Sequence, residues 1–222
     1  MARRGPRYAL LASAREVRAL FGYRDEVDFP PRYNIAPTQP IAVVHRMAAE
    51  RRFTLMRWGF MPAWVKDPRA ISLLVSARAE TVGERPAFRA AFRYRRCLIP
   101  ASGFYVWQRG RSGQRRPFFV RPRAGGLIAL AGLWETWCGA DGSEIDTACL
   151  LTINANKTLA SISPRMPVII APGDFEEWLG SGDLVSELLC QAPADLLSAD
   201  PVSTSVDSVR NEGPDLVAPV GG

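Results

Sequence analysis

Several chemistries are nearly missing from this 222-residue sequence. It has one histidine, His45, so it lacks the residues for a multi-histidine metal site or a Ser-His-Asp triad. His45 sits in the apolar run Ile41-Ala42-Val43-Val44-His45, which reads as a buried strand and makes the ring structural. The four cysteines, Cys97, Cys138, Cys149 and Cys190, are far apart and form no Cys-x-x-Cys pair. Zinc and dithiol motifs are thereby excluded, and reduced thiols are expected. No apolar run approaches the ~20 residues of a membrane-spanning helix. The basic start, Met1 to Arg7, is followed by no long apolar stretch of a secretory signal, so a cytoplasmic location is expected. No Ser/Gly linker or repeat divides the chain, and one domain over 1–222 is expected.

Lysine is scarce as well. Of 28 basic residues only Lys66 and Lys157 are lysines, and the rest are arginine. Net charge is +6 and the pI is near 9.5. A GC-rich genome would give this bias without function. The alternative is a polyanionic partner, of which nucleic acid is the commonest, because guanidinium forks pair with phosphates and stack on bases.

The remaining pattern is strand-rich. Arg7–Ala12 reads as a first strand. Ser13 with Glu16 forms a capping box for a short helix striped by Val17, Leu20 and Phe21. Extended segments follow at 32–37, 40–45 and 51–60, then an irregular aromatic loop, Met61-Pro62-Ala63-Trp64. A helix is predicted around 85–93. Strands are predicted at 116–121, 127–134 and 145–153, with a turn at 139–142 joining the last two. A turn into a short strand spans 161–170. Asp174 is a candidate N-cap for a helix over 175–179, and 185–189 reads as a second short helix. The tail from 201 to 220 is expected to hold a final strand. The class is α+β with curved, mostly antiparallel, barrel-like sheets and short flanking helices.

One stretch organises the rest: Cys97-Leu98-Ile99-Pro100-Ala101-Ser102-Gly103-Phe104-Tyr105-Val106-Trp107. It reads as strand, tight turn, strand, a buried hairpin in which Gly103 supplies a backbone angle other residues resist. Tyr105 and Trp107 fall on one face, Phe104 and Val106 on the other.

This stretch, with Arg7-Tyr8-Ala9-Leu10, Arg32-Tyr33-Asn34-Ile35-Ala36-Pro37, Trp58 to Trp64, Ala77-Arg78-Ala79-Glu80-Thr81, Gly132-Leu133-Trp134, Arg165 to Ile169 and Ser208-Val209-Arg210-Asn211, resembles the SRAP family (SOS-response-associated peptidase). Those proteins shield abasic sites in single-stranded DNA. The stretches keep the family's order and span nearly the whole chain. The resemblance implies one β-rich domain and a reaction in which a cysteine exposed by loss of Met1 closes a thiazolidine ring on the abasic aldehyde. An Asn, a Glu and a His around the amine would hold and move protons.

The chain departs from the family at each of those positions. Gly5 stands where the cysteine aligns, or Ala2 if the start is read without a gap. Ser76 replaces the Asn, Val106 the Glu and Ser163 the His. Loss of all four with the scaffold kept implies that fold persists without the covalent chemistry. No catalytic residue is then intact, and no peptidase set is visible. Val106 also spares the protein a buried carboxylate and its desolvation cost.

The resemblance leaves Arg7, Asn34, Trp64, Arg78, Tyr105 and Arg165 as candidate nucleic-acid contacts, and Arg3-Arg4 as added positive charge. Structural readings stand beside these: core packing for Trp64 and Tyr105, an ion pair with Glu80 or Glu84 for Arg78, a solvated charge for Arg7. The implied role is binding of single-stranded or abasic-site DNA in the DNA damage (SOS) response, by a monomer without cofactor, metal or membrane. Two alternatives remain. The Ala2 amine could act as a residual abasic-site lyase, or the protein could serve protein interaction without nucleic acid.

Overall fold

The structure, a computed structural model, describes residues 5–67, 69, 71–110, 113–181 and 184–221. Ala2, Arg3 and Arg4 lie outside the described residues. Two sheets carry the architecture. In the larger, β3 (Pro40–Met47), β4 (Glu50–Trp58), β6 (Arg96–Ala101), β9 (Ile128–Cys138) and β10 (Glu144–Asn154) form a ring. Four of its pairings are antiparallel, and the β10–β4 pairing, parallel, closes the barrel. Closure removes exposed sheet edges. Three short strands attach outside the ring: β5 (Ser76–Arg78) and β11 (Arg165–Pro167) on β10, and β12 (Ile169–Ile170) on β9.

The second sheet is antiparallel and open. Its order is β13 (Leu197–Pro201), β8 (Arg115–Pro122), β7 (Gly103–Arg109), β1 (Arg7–Leu10) and β2 (Arg32–Ile35). The largest core lies between and around the sheets, with Leu98, Ile99, Leu130 and Trp58 fully buried. Tyr8 of the open sheet meets Trp58 of the barrel edge-on, with ring centroids 5.4 Å apart. Among the described residues three α-helices flank the sheets: α1 (Ala14–Phe21), α2 (Arg89–Tyr94) and α3 (Phe175–Leu179). No described helix is long and apolar enough to cross a membrane.

Local signals place many elements where the sequence puts them. Ser13 and Glu16 form the reciprocal capping box of α1, and Gly22 ends it in the left-handed conformation. The 139–142 turn joins β9 to β10 as a hairpin.

Cys97–Trp107 is not a hairpin. β6 belongs to the barrel and β7 to the open sheet, so Ser102 is the corner where the chain changes sheets. Ser102 N–H donates to Ala9 O, and its hydroxyl accepts from Leu11 N–H at 2.9 Å. Gly103 is also needed for another reason than expected. Its φ is not positive; a Cβ there would lie 2.5 Å from both Val120 O and Phe119 Cζ.

Three smaller expectations are corrected. α2 begins at Arg89, because residues 82–88 run mostly as turns. Asp174 occupies the N-cap of α3 without a side-chain hydrogen bond. The last strand is β13, ahead of the tail, which instead carries short 3-10 turns and one isolated bridge, Val202 to Pro219. Pro201, Pro214 and Pro219 lack the N–H groups a longer strand would donate.

Candidate nucleic-acid interface

β1 and β7 pair for only three residues, Arg7 with Tyr105, Tyr8 with Phe104 and Ala9 with Gly103. β7 then continues to Arg109 with β8 alone beside it. Opposite stand β5, which sets Ser76 beside Leu150, and β11, which sets Arg165 beside Asn154. Between them lies a cleft of about 740 Å³. Gly5, Ser76, Val106 and Ser163, scattered through the sequence, all line it, together with Arg7, Tyr105 and Arg165. Two further arginines, Arg109 and Arg115, line it from the β7–β8 hairpin. Among the described residues lining the cleft there is no carboxylate, imidazole, thiol or lysine.

A second cavity of about 380 Å³ shares Ser76, Thr152 and Arg165 with the cleft and adds Arg78 and Arg85. Arg78 is exposed and has no carboxylate partner among the described residues, so the expected pair with Glu80 or Glu84 is not formed. Glu80 is taken by Arg165. Both its oxygens accept from that guanidinium, one at 2.8 Å. These hydrogen bonds hold the Glu80 carboxyl down at about 2. Arg165 also donates to Asn154 Oδ1 at 2.9 Å and to Thr152 O. Two arginines that line the same cavity thus differ sharply, Arg165 neutralised and Arg78 not.

Arg7 is buried rather than solvated. Its Nη1 donates to Gly5 O at 2.9 Å and Pro6 O at 3.1 Å, and its buried Nε has no partner. Burial lowers its pKa, against the raising effect of Asp207. A Cβ at Gly5 would come 3.1 Å from Pro37 Cγ, so a side chain there would have to push Pro37 aside. Val106 packs in the main core beside Phe104 with 7% exposure. The Ser163 hydroxyl is spent on its own turn, donating to Arg165 O at 2.8 Å and accepting from Arg165 N–H.

Asn34 lies away from the cleft. It is fully buried, and its Nδ2 donates to Val206 O, Ser208 O and Asn211 O of the tail. The Tyr105 hydroxyl donates to Tyr33 O at 2.7 Å, and burial raises its pKa. Trp64 stands 64% exposed on its loop and lines neither cavity. Arg85, Arg109 and Arg115 escape sequence reading because no periodicity marks them; the nearest signal is the glycine-containing turn between Arg109 and Arg115.

A closed barrel joined to an open sheet, with a cationic cleft at their junction, defines a β-rich protein whose site is fit for an anionic ligand. The family signature of SOS response associated peptidase (SRAP) matches residues 5–209, and the chain belongs to that family. It is 36% identical over 194 residues to abasic site processing protein YoaM of Bacillus subtilis (strain 168), covering 86% of each chain. To abasic site processing protein HMCES of Mus musculus it is 29% identical over 245 residues, covering 91% of this chain and 69% of that protein. A crystal structure of a Bacteroides thetaiotaomicron protein superposes with a TM-score of 0.85 at 22% identity, covering 96% of this chain and 99% of that one, and shows the shared fold. One from Bordetella bronchiseptica gives 0.79 at 27% identity, covering 90% of this chain and 100% of that one.

Proposed function

We propose that this protein binds single-stranded or abasic-site DNA in the DNA damage response and holds it without a covalent thiazolidine link. One observation carries the reading. The four positions that the family resemblance assigns to chemistry meet in a single cleft that keeps its arginines and has no described carboxylate, imidazole or thiol in its lining. Relatives named abasic site processing proteins support the ligand class.

The two halves of the proposal follow from the side chains. A thiazolidine needs an amine and a thiol on one residue, and Gly5 has no side chain. Val106 and Ser163 cannot act as the Glu and His would: Val106 has no proton to give, and the Ser163 hydroxyl is engaged within its turn. Binding asks less of the site. Each phosphate neutralised by arginine releases counterions, giving salt-dependent affinity. Arg78 is an exposed cation for such a contact, and Trp64 is exposed enough to stack on a base, worth about 1–3 kcal/mol.

The test is an abasic single strand offered to the protein in two assays. Fluorescence anisotropy is expected to show binding tighter than micromolar at low salt, weakening steeply as salt rises. Denaturing electrophoresis is expected to show no SDS-resistant adduct. An adduct would establish that covalent chemistry persists, and borohydride trapping would assign it to the amine. Binding no tighter than micromolar, or without a salt slope, would sink the DNA reading.

A further inference from the structure

The β7–β8 hairpin holds an arrangement that antiparallel sheets normally avoid. Arg109 ends β7, Arg115 begins β8, and the register sets them directly opposite each other. Both are exposed, both line the cleft, and neither has a carboxylate partner among the described residues. Like charges directly across two strands repel and weaken the hairpin. The neighbouring pair offers no relief. It is Gln108 with Arg116, whose guanidinium lies over the Phe118 ring at 5.6 Å.

The hairpin is nonetheless fixed relative to the cleft. Gln108 Nε2 donates to Ser161 O at 3.0 Å, tying β7 to the turn that carries Ser163. Gly110 N–H donates to Gln114 O at 2.8 Å near the hairpin end. Two arginines set directly opposite each other, with no carboxylate partner among the described residues, can make a bidentate site for an anion, since a phosphate relieves their repulsion and accepts from both forks. The site is separate from the Arg78 and Arg85 cavity, which includes no residue of this hairpin.

We propose that Arg109 and Arg115 form a clamp for one backbone phosphate of the DNA strand where it leaves the cleft along the β7–β8 hairpin. This rests on the DNA-binding reading above and adds a contact to it. The strand then meets cations on two sides of the Gly5, Ser76, Val106 and Ser163 positions: Arg78 and Arg85 on one, the hairpin clamp on the other. Non-covalent hold at the second point keeps a strand that no ring closure retains.

Fluorescence anisotropy against a labelled single strand with one central tetrahydrofuran abasic analogue tests the clamp. R109Q/R115Q is compared with wild type, with R78Q, and with the charge-matched R15Q/R18Q on α1, whose chain start lies beyond the far end of β1 from the cleft. R109Q/R115Q is expected to weaken low-salt binding roughly tenfold and to make the log–log salt slope shallower by about 0.7, the share of one phosphate on a single strand. R15Q/R18Q is expected to leave both nearly unchanged. The melting temperature of R109Q/R115Q is expected to stay level or rise, because a repulsive pair is removed.

Wild-type affinity and slope in R109Q/R115Q, with binding weakened in R78Q, would overturn the clamp and leave the DNA reading standing. An equal loss in R15Q/R18Q would reduce the effect to net charge and overturn it too. A fall in melting temperature would show the arginines to be structural. Absence of salt-dependent binding by wild type would remove both proposals together.

Discussion

The barrel and the open sheet treat their strands differently. In the barrel a ring of five strands closes on itself. Burial pushes the Cys97 and Cys149 thiols up and the His45 imidazole down, toward the uncharged form in each case. In the open sheet β1 stops at Arg7 while β7 runs on to Arg109. The cleft occupies the place where that pairing ends, and the arginines gather there. Closed pairing builds a scaffold, and interrupted pairing leaves backbone edge and side chains free to face a ligand.

Two glycines probe the junction and the barrel. Gly103→Ala is expected to have the largest effect, about 3 kcal/mol or more in urea denaturation, because its Cβ meets the Val120 carbonyl, which is fixed in the sheet ladder. Gly132→Ala in the barrel is expected to cost less, about 1–3 kcal/mol. Its nearest contacts are the ends of Cys97 and Ile99 at 2.8 Å, which can shift, and the Cys149 carbonyl stands farther off at 3.0 Å than Val120 O does from Gly103. A reversed order would mean that the barrel, not the junction, is the tighter constraint.

Asn34→Ala comes next. It strands three tail carbonyls and should cost about 2 kcal/mol. Hydrogen exchange should then rise across 202–221 with the barrel unaffected. Faster exchange in β3 or β6 would contradict that separation.

Val106→Glu restores a carboxylate at the cleft wall. It should destabilise by about 1–3 kcal/mol, since the site is buried beside Phe104 and has no imidazole to pair with. It should produce no adduct with an abasic strand, because Gly5 and Ser163 remain.

The smallest effect is reserved for Glu80→Gln. Glu80 titrates near 2 when folded, against an ordinary value of 4.5, so its pairing with Arg165 contributes stability above pH ~4.5. That contribution falls away as pH drops from about 4.5 toward 2. The variant should flatten this part of the stability–pH curve, by little because the pair is partly exposed. It should also free Arg165 and strengthen strand binding slightly. An unchanged acid limb would mean the pair is worth nothing to the fold.

Many strand positions and the cap of the first helix were legible in short windows. Ser13 with Glu16 caps α1 because both partners lie within one turn. The 139–142 turn makes a hairpin for an equally local reason. The candidate site was legible only in part. Family resemblance picked out Gly5, Ser76, Val106 and Ser163, and the fold brings them into one cleft. Resemblance could not tell that Asn34 latches the tail or that Arg165 is neutralised by Glu80.

The sequence by itself determined the class of the protein, its strand-rich pattern, its arginine charge, and the missing thiol, carboxylate and imidazole. Only the tertiary structure decided that Cys97–Trp107 crosses between sheets, that Gly103 answers to a carbonyl rather than to its own φ, and which arginines line the cleft without a carboxylate partner among the described residues. The physical reason is distance along the chain. Periodicity and capping act over a few residues, whereas Asn34 reaches Val206 across 172 positions and Arg165 reaches Glu80 across 85. Contacts of that span are set by how two sheets pack, and no local pattern carries them.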